Sequence, residues 1–151
     1  MKVTIVLRND HEVLRGLIDK LKKTPARNPD RKALIQKIRA ELQMHSQMAS
    51  EVFYSALAAT PSDRAVELAA AAQKRCEDLE ELFQELSHMS PSDHHFDTKM
   101  NSAIAEIELH IELEEDELFH EARKTLPEYR LEELGLEMQS RRDTMKMRAV
   151  I

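Results

Sequence analysis

Glycine, tryptophan and cysteine are almost missing from this chain, which has two glycines, no tryptophan and one cysteine in 151 residues. Two glycines, Gly16 and Gly135, are too few for a loop that cradles phosphates, which excludes the common nucleotide-binding turns. A single cysteine, Cys76, excludes a disulfide within the chain and fits a reducing compartment. Long apolar runs are absent too. The first ten residues, MKVTIVLRND, hold only five uncharged residues in a row before Arg8, too few for a signal-peptide core or a membrane span. A cytoplasmic protein without a membrane partner is the expectation. Aromatic residues make up 4% and the net charge is -6, with no basic stripe, so nucleic acid is not an expected partner. Neither a nucleophilic triad nor a CxxC motif is found. What remains is rich in Leu, Ala, Glu and Lys, with 33% charged residues, a composition for an all-helical domain. The length suits one domain with a core of useful size.

Hydrophobic spacing predicts four long helices. The first runs from a cap at Thr4 to about Lys23, with the seam Val3, Leu7, His11, Leu14, Ile18 and Leu21. Pro25 and Pro29 break the chain. A second helix extends from about Asp30 to Ala59 along Leu34, Ile38, Leu42, His45, Ala49, Val52 and Ala56. Thr60-Pro61-Ser62 is a break and an N-cap for a third helix to about His88, on Ala65, Ala69, Ala72, Cys76, Leu79, Phe83 and Leu86. The fourth helix follows the turn at 90–93 and ends by Pro127, its stripe passing through Met100, Ala103, Ile107 and Leu118. Short turns between long helices give an up-down-up-down four-helix bundle over residues 1–127. Residues 128–151 read as a shorter helix laid across it, less regular after Gly135.

Within the fourth helix, EIELHIELEEDELF places His110 and Glu114 four residues apart, on one face and inside the apolar stripe. A histidine and a carboxylate in a core cost free energy unless something satisfies them. An internal repeat shows what else points there. At an ungapped offset of 65 residues, NDHEVLRGLIDKL (9–21) falls on KRCEDLEELFQEL (74–86), and AELQMHSQMASEVFY (40–54) falls on AEIELHIELEEDELF (105–119). Each half then offers three seam positions to one central volume. These are His11, His45 and Ala49 in the first, and Cys76, His110 and Glu114 in the second. Two histidines and a carboxylate per half would suit a pair of divalent metals in a bundle core.

Those segments, together with the terminal LEELGLEM, resemble the hemerythrin-like, or HHE cation-binding, domain family over nearly the whole chain. The resemblance implies a four-helix bundle with two non-haem irons, and a role in binding, sensing or handling dioxygen, nitric oxide, peroxide or iron. It implies metal-ligand roles for His11, His45, His110 and Glu114, with Glu114 bridging. Two positions depart from the family pattern. Ala49 stands where a carboxylate is expected, and Cys76 where the third helix should carry a histidine. His11, His45 and Glu114 remain a two-histidine-one-carboxylate set for one iron, or zinc in its place, with open positions for a small diatomic or peroxide ligand. The second position keeps His110, with Cys76 beside it only as a thiolate. The expectation is a mononuclear or partly occupied site that binds or senses rather than turns over substrate, with peroxide or nitric oxide chemistry as the enzymatic rival.

Blander readings stand beside these. A metal-free interaction or scaffold bundle of the same fold is the alternative function. Cys76 reads more readily as a small buried hydrophobe than as a ligand, since free cysteine packs well in cores. Glu41 and Glu106, one turn before His45 and His110, read as solvated flanks with a hydrogen bond to each ring as the sharper option. Glu51 reads as solvated or as a support behind the ligands, and the run Glu115-Asp116-Glu117 as solvent-facing. His88, His94, His95 and His120 read as surface residues, and Met138, Met145 and Met147 as packing or a partner surface. No protein partner is identified by the sequence.

Overall fold

All five prolines lie between helices. In the computed structural model, which describes residues 1–150, α1 spans Val3–Lys23. The next helix, α2 (30–58), is α-helical over Asp30–Met48, π-helical over Ala49–Tyr54 and α-helical again over Ser55–Ala58. Then α3 covers Asp63–His88, with Ser62 Oγ accepting from the Ala65 N–H at 3.1 Å as the sequence predicts. The fourth, α4 (96–125), is α-helical over Phe96–Leu113, π-helical over Glu114–Leu118 and α-helical over Phe119–Thr125. Last comes α5, Glu128–Val150, while Ile151 lies outside the described residues. Among the described residues no strand occurs, and no helix is long and apolar enough to cross a membrane.

The four seams are inside. Every seam residue predicted for α1 and α3 is buried, as are Met100, Ala103, Ile107 and Leu118 of α4. The buried apolar residues fall into two clusters. One holds Val3, Leu7, Met48, Val52, Cys76 and Leu118, the other Leu14, Ile18, Leu42, Leu79, Ile107 and Ile111. Along each helix the break between the clusters comes at His11, between Leu42 and Met48, between Cys76 and Leu79, and between Ile111 and Leu118. A polar layer therefore crosses the bundle between two apolar cores.

Two expectations need correction. Thr4 does not cap α1: the Lys2 carbonyl accepts the N–H groups of Ile5 and Val6 at 3.0 and 3.1 Å, and Thr4 is buried within the first turn. Burial of Val3 and Val6 accompanies a helix start two residues earlier, with Lys2 at the cap position. The C-terminal segment is not shorter and irregular but one helix of 23 residues, passing through Gly135 without a break. Its Leu131, Leu134 and Met138 are buried at helical spacing, and it packs mainly along α1. Gly135 marks a close crossing, because a Cβ there would clash with the Met1 carbonyl oxygen.

The two glycines should answer a methyl group in opposite ways. Around Gly16 nothing lies within 4 Å of an added Cβ, so Gly16→Ala removes backbone entropy from the unfolded chain and raises stability by about 0.5–1 kcal/mol. Gly135→Ala forces backbone apart and should lower stability by about 1–3 kcal/mol. Urea unfolding of the two variants checks both signs.

Candidate metal centre

The polar layer is built around Glu114, whose side chain has no solvent exposure. The π-helical stretches of α2 and α4 begin at Ala49 and Glu114, each four residues after a histidine and at the repeat offset from one another. A π turn closes its hydrogen bonds over five residues instead of four, so each residue advances less around the axis. Neighbours that an α-helix would splay onto a flank are thereby turned inward. Phe53 and Tyr54 follow Ala49 into the core, and Glu115 follows Glu114 part of the way.

Three of the sequence-predicted residues converge on the fourth, Glu114. His11 Nε2 and His45 Nε2 stand 3.1 and 3.3 Å from Glu114 Oε1, and His110 Nε2 stands 2.8 Å from Oε2. The donor atoms of His11, His45 and Glu114 all lie within 4.8 Å of one another. Glu114 thus spans the halves of the repeat with one oxygen toward each. Cys76 is set farther back, its Sγ 3.9 Å from His110 Nε2 and its side chain buried. Ala49 is fully buried and offers no donor.

Three contributors escaped the sequence reading. Tyr54 donates its hydroxyl to Glu114 Oε2 at 2.5 Å, and the Tyr54 hydroxyl oxygen lies 3.5 Å from His110 Nε2 and 3.9 Å from Cys76 Sγ. The repeat held the signal, since Tyr54 falls on Phe119, whose ring stacks on His11 at 5.9 Å between centroids. An aromatic occupies that place in both halves, and only one carries a hydroxyl. Glu115 accepts from His11 Nδ1 at 2.6 Å, correcting its reading as a solvent-facing residue; Asp116 and Glu117 are exposed. Asp10, the residue before His11, accepts from His45 Nδ1 at 3.4 Å. Glu41 and Glu106 do not hydrogen-bond the rings among the described residues, and His88, His94, His95 and His120 are exposed as expected.

These carboxylates decide how the rings are oriented. With Nδ1–H of His11 directed at Glu115 and that of His45 at Asp10, both Nε2 atoms turn toward the same oxygen of Glu114. On a neutral ring that atom is a lone pair facing a carboxylate, an arrangement that requires a cation between them. His45 Nε2 is buried and lacks a hydrogen-bond partner, so its lone pair is available to a cation. The donor set therefore fits a divalent metal. In its absence protons fill the same need. Burial opposes charge on His45, but Glu114 and Asp10 outweigh it and raise the ring to about 10; His110 is raised to about 9, against burial, by Glu114 and Cys76. Burial also opposes ionisation of Glu114, yet the histidines hold it well below the ordinary carboxylate range. Tyr54 is pushed upward by burial and then by Glu114, so it keeps its proton and donates it. Cys76 is drawn below its usual value, against burial, by the His110 ring. From the surface, a groove of about 530 Å³ lined by Leu42, Met44, Ser46, Glu80 and Met145 reaches Cys76.

A histidine raised from 6.5 to about 9 or 10 adds stability that is full below about pH 6.5 and fades as pH climbs through the folded value. Glu114, shifted down, adds stability above its ordinary pKa and loses it in acid. Chelator-treated protein should therefore lose stability to urea as pH rises from about 7 to about 10. A His45→Gln/His110→Gln variant should show a flatter profile. A flat profile in the parent protein would refute the charged network.

The hemerythrin HHE cation-binding domain family model matches residues 3–122. Over 99% of this chain and 90% of the other, the fold is similar at TM-score 0.85 and 24% identity to the crystal structure of a hemerythrin HHE cation-binding domain-containing protein from Mycobacterium kansasii. No curated protein matches the sequence. With the family model covering four of its five helices, this chain belongs to the hemerythrin HHE cation-binding domain family.

Proposed function

We propose that this protein is a cytoplasmic non-haem iron protein that binds or senses a small diatomic molecule or peroxide, or handles iron itself. His11, His45 and Glu114 hold the first metal position. His110 and Glu114 Oε2 face an adjoining position, with the Tyr54 hydroxyl and Cys76 at its edge. The observation that carries the reading is the convergence of two histidine Nε2 atoms on one buried carboxylate oxygen, each ring anchored from behind by a second carboxylate. Iron bound there would supply a redox-active Lewis acid with positions left open for a small ligand; zinc would supply the Lewis acid alone. The chain's own contribution is to exclude water with two apolar cores, to fix both rings, and to keep a proton on Tyr54 beside Glu114. Binding rather than turnover suits a centre whose second position has lost its helix α3 histidine and its helix α2 carboxylate.

One observation favours the metal-free alternative, an interaction bundle of the same fold. Protonated His45 and His110 with the Tyr54 hydroxyl already satisfy Glu114 without metal.

Elemental analysis of protein purified without chelator decides between them. About one equivalent of iron or zinc, lost in a His11→Ala/His110→Ala variant, is the expected result for the His11–His45–Glu114 position. About two equivalents would bring Cys76 or Tyr54 in as a ligand of the second position, and Tyr54→Phe or Cys76→Ala would then lower the content toward one. No metal, even after anaerobic loading with Fe(II), would overturn the reading in favour of the interaction bundle. Because metal displaces the ring protons, uptake of Fe(II) should strengthen as pH rises from about 6 to about 8, with protons released to the solvent.

A further inference from the structure

The family model ends at residue 122, and the helix beyond it, α5, sends one side chain to the ligand layer. Arg142 Nη2 donates to Asp10 Oδ2 at 2.6 Å, and that same oxygen accepts from His45 Nδ1 at 3.4 Å. The contact is largely shielded, with side-chain exposures of 13% for Arg142 and 8% for Asp10. A charge-assisted pair so covered holds its geometry better than a surface pair.

The other ligand ring offers the comparison. His11 leans on Glu115, which is met by Arg15 at 3.3 Å and Arg8 at 3.9 Å, both on α1, the helix that carries His11 itself. Each ring is thus backed by a carboxylate that an arginine holds. For His11 the arginines come from within the four-helix bundle. For His45 the arginine comes from α5, packed on the outside. Without Arg142, Asp10 is free to turn away to water, and the His45 ring loses the acceptor that aims Nε2 at Glu114.

We propose that Arg142 is a positioning residue for His45, acting through Asp10, so that docking of α5 and capture of metal at His45 are coupled. The proposal rests on the reading of the layer as a metal site. Coupling of this kind is reciprocal: a docked α5 tightens metal binding, and bound metal holds α5 down. Arg141 does not share the role, since it pairs with Glu51 and Glu137 at the surface.

Cobalt(II), a spectroscopic stand-in for the divalent ion, tests this on the full-length protein. Arg142→Met should weaken cobalt binding about tenfold or more and shift its visible absorption bands, as loss of a ligand's hydrogen-bonded support does. Arg142→Lys, which keeps the charge, should recover much of both. In the parent protein cobalt should slow amide exchange across residues 131–148, and in Arg142→Met it should not. Equal affinity and an unchanged spectrum in Arg142→Met, with cobalt bound by the parent, would overturn the proposal and leave the metal site standing. Should Arg142→Met not fold, exchange in the parent still decides, because protection that reaches α4 and leaves α5 untouched would also overturn it. Failure of the parent to take up cobalt would overturn the metal site and this proposal together.

Discussion

A carboxylate with no access to water sits at the middle of this bundle, and the surrounding structure is arranged to tolerate it. Burying a charge without partners costs several kcal/mol, far more than a small domain can absorb unanswered. Glu114 is answered by three imidazoles and a phenol, drawn from α1, α2 and α4. The partners in turn are buried polar groups that need partners, so the demand passes outward to Asp10 and Glu115, and from them to Arg142 and Arg15. Along this path the layer meets solvent by degrees, first at Glu115 and then at Arg142 and Arg15. The polar network is thus a set of nested shells, each of which exists because the one inside it does.

The two π-helical turns make those shells possible. In a plain α-helix the residues next to Ala49 and Glu114 would point to the flanks. Widening the turn at both places swings an aromatic ring under each half of the layer: Phe119 stacks on His11, and Tyr54 reaches toward Cys76 and Glu114. Tyr54 also accounts for how the layer stays satisfied with alanine at 49 in one half and cysteine at 76 in the other. Its hydroxyl supplies a hydrogen bond to the carboxylate that a ligand-bound metal or a further charged side chain would otherwise have to match.

Much of the fold was legible in the sequence because seam spacing and proline breaks report burial and chain reversal directly. The α1 and α3 seams are buried residue for residue, and Ser62 caps where the break predicts. The cluster of His11, His45, His110 and Glu114 was legible for a related reason, as polar residues at apolar positions and at matched places in a repeat. What stayed hidden depends on departures from regular geometry or on distant contacts. Tyr54 and Glu115 lie off the seam by α-helical arithmetic, and only the altered turn brings them in. Asp10 owes its role to Arg142, 132 residues away, which periodicity cannot pair with it. Gly135 signals a helix break by composition, whereas its structural meaning is the backbone of residues 1 and 2 pressed against it.

The division of the interior into two apolar clusters bears on how such a site can change over time. Each cluster draws on several helices, and neither needs the ligand layer to fill its space. Alanine at 49 and cysteine at 76 pack into the near cluster as small apolar residues. Each half of the layer can therefore carry a residue without a strong donor while the bundle keeps its packing, provided the buried carboxylate still has partners. The fold is thus a permissive host, in which the polar side chains of the central layer can differ without disturbing the apolar packing on either side.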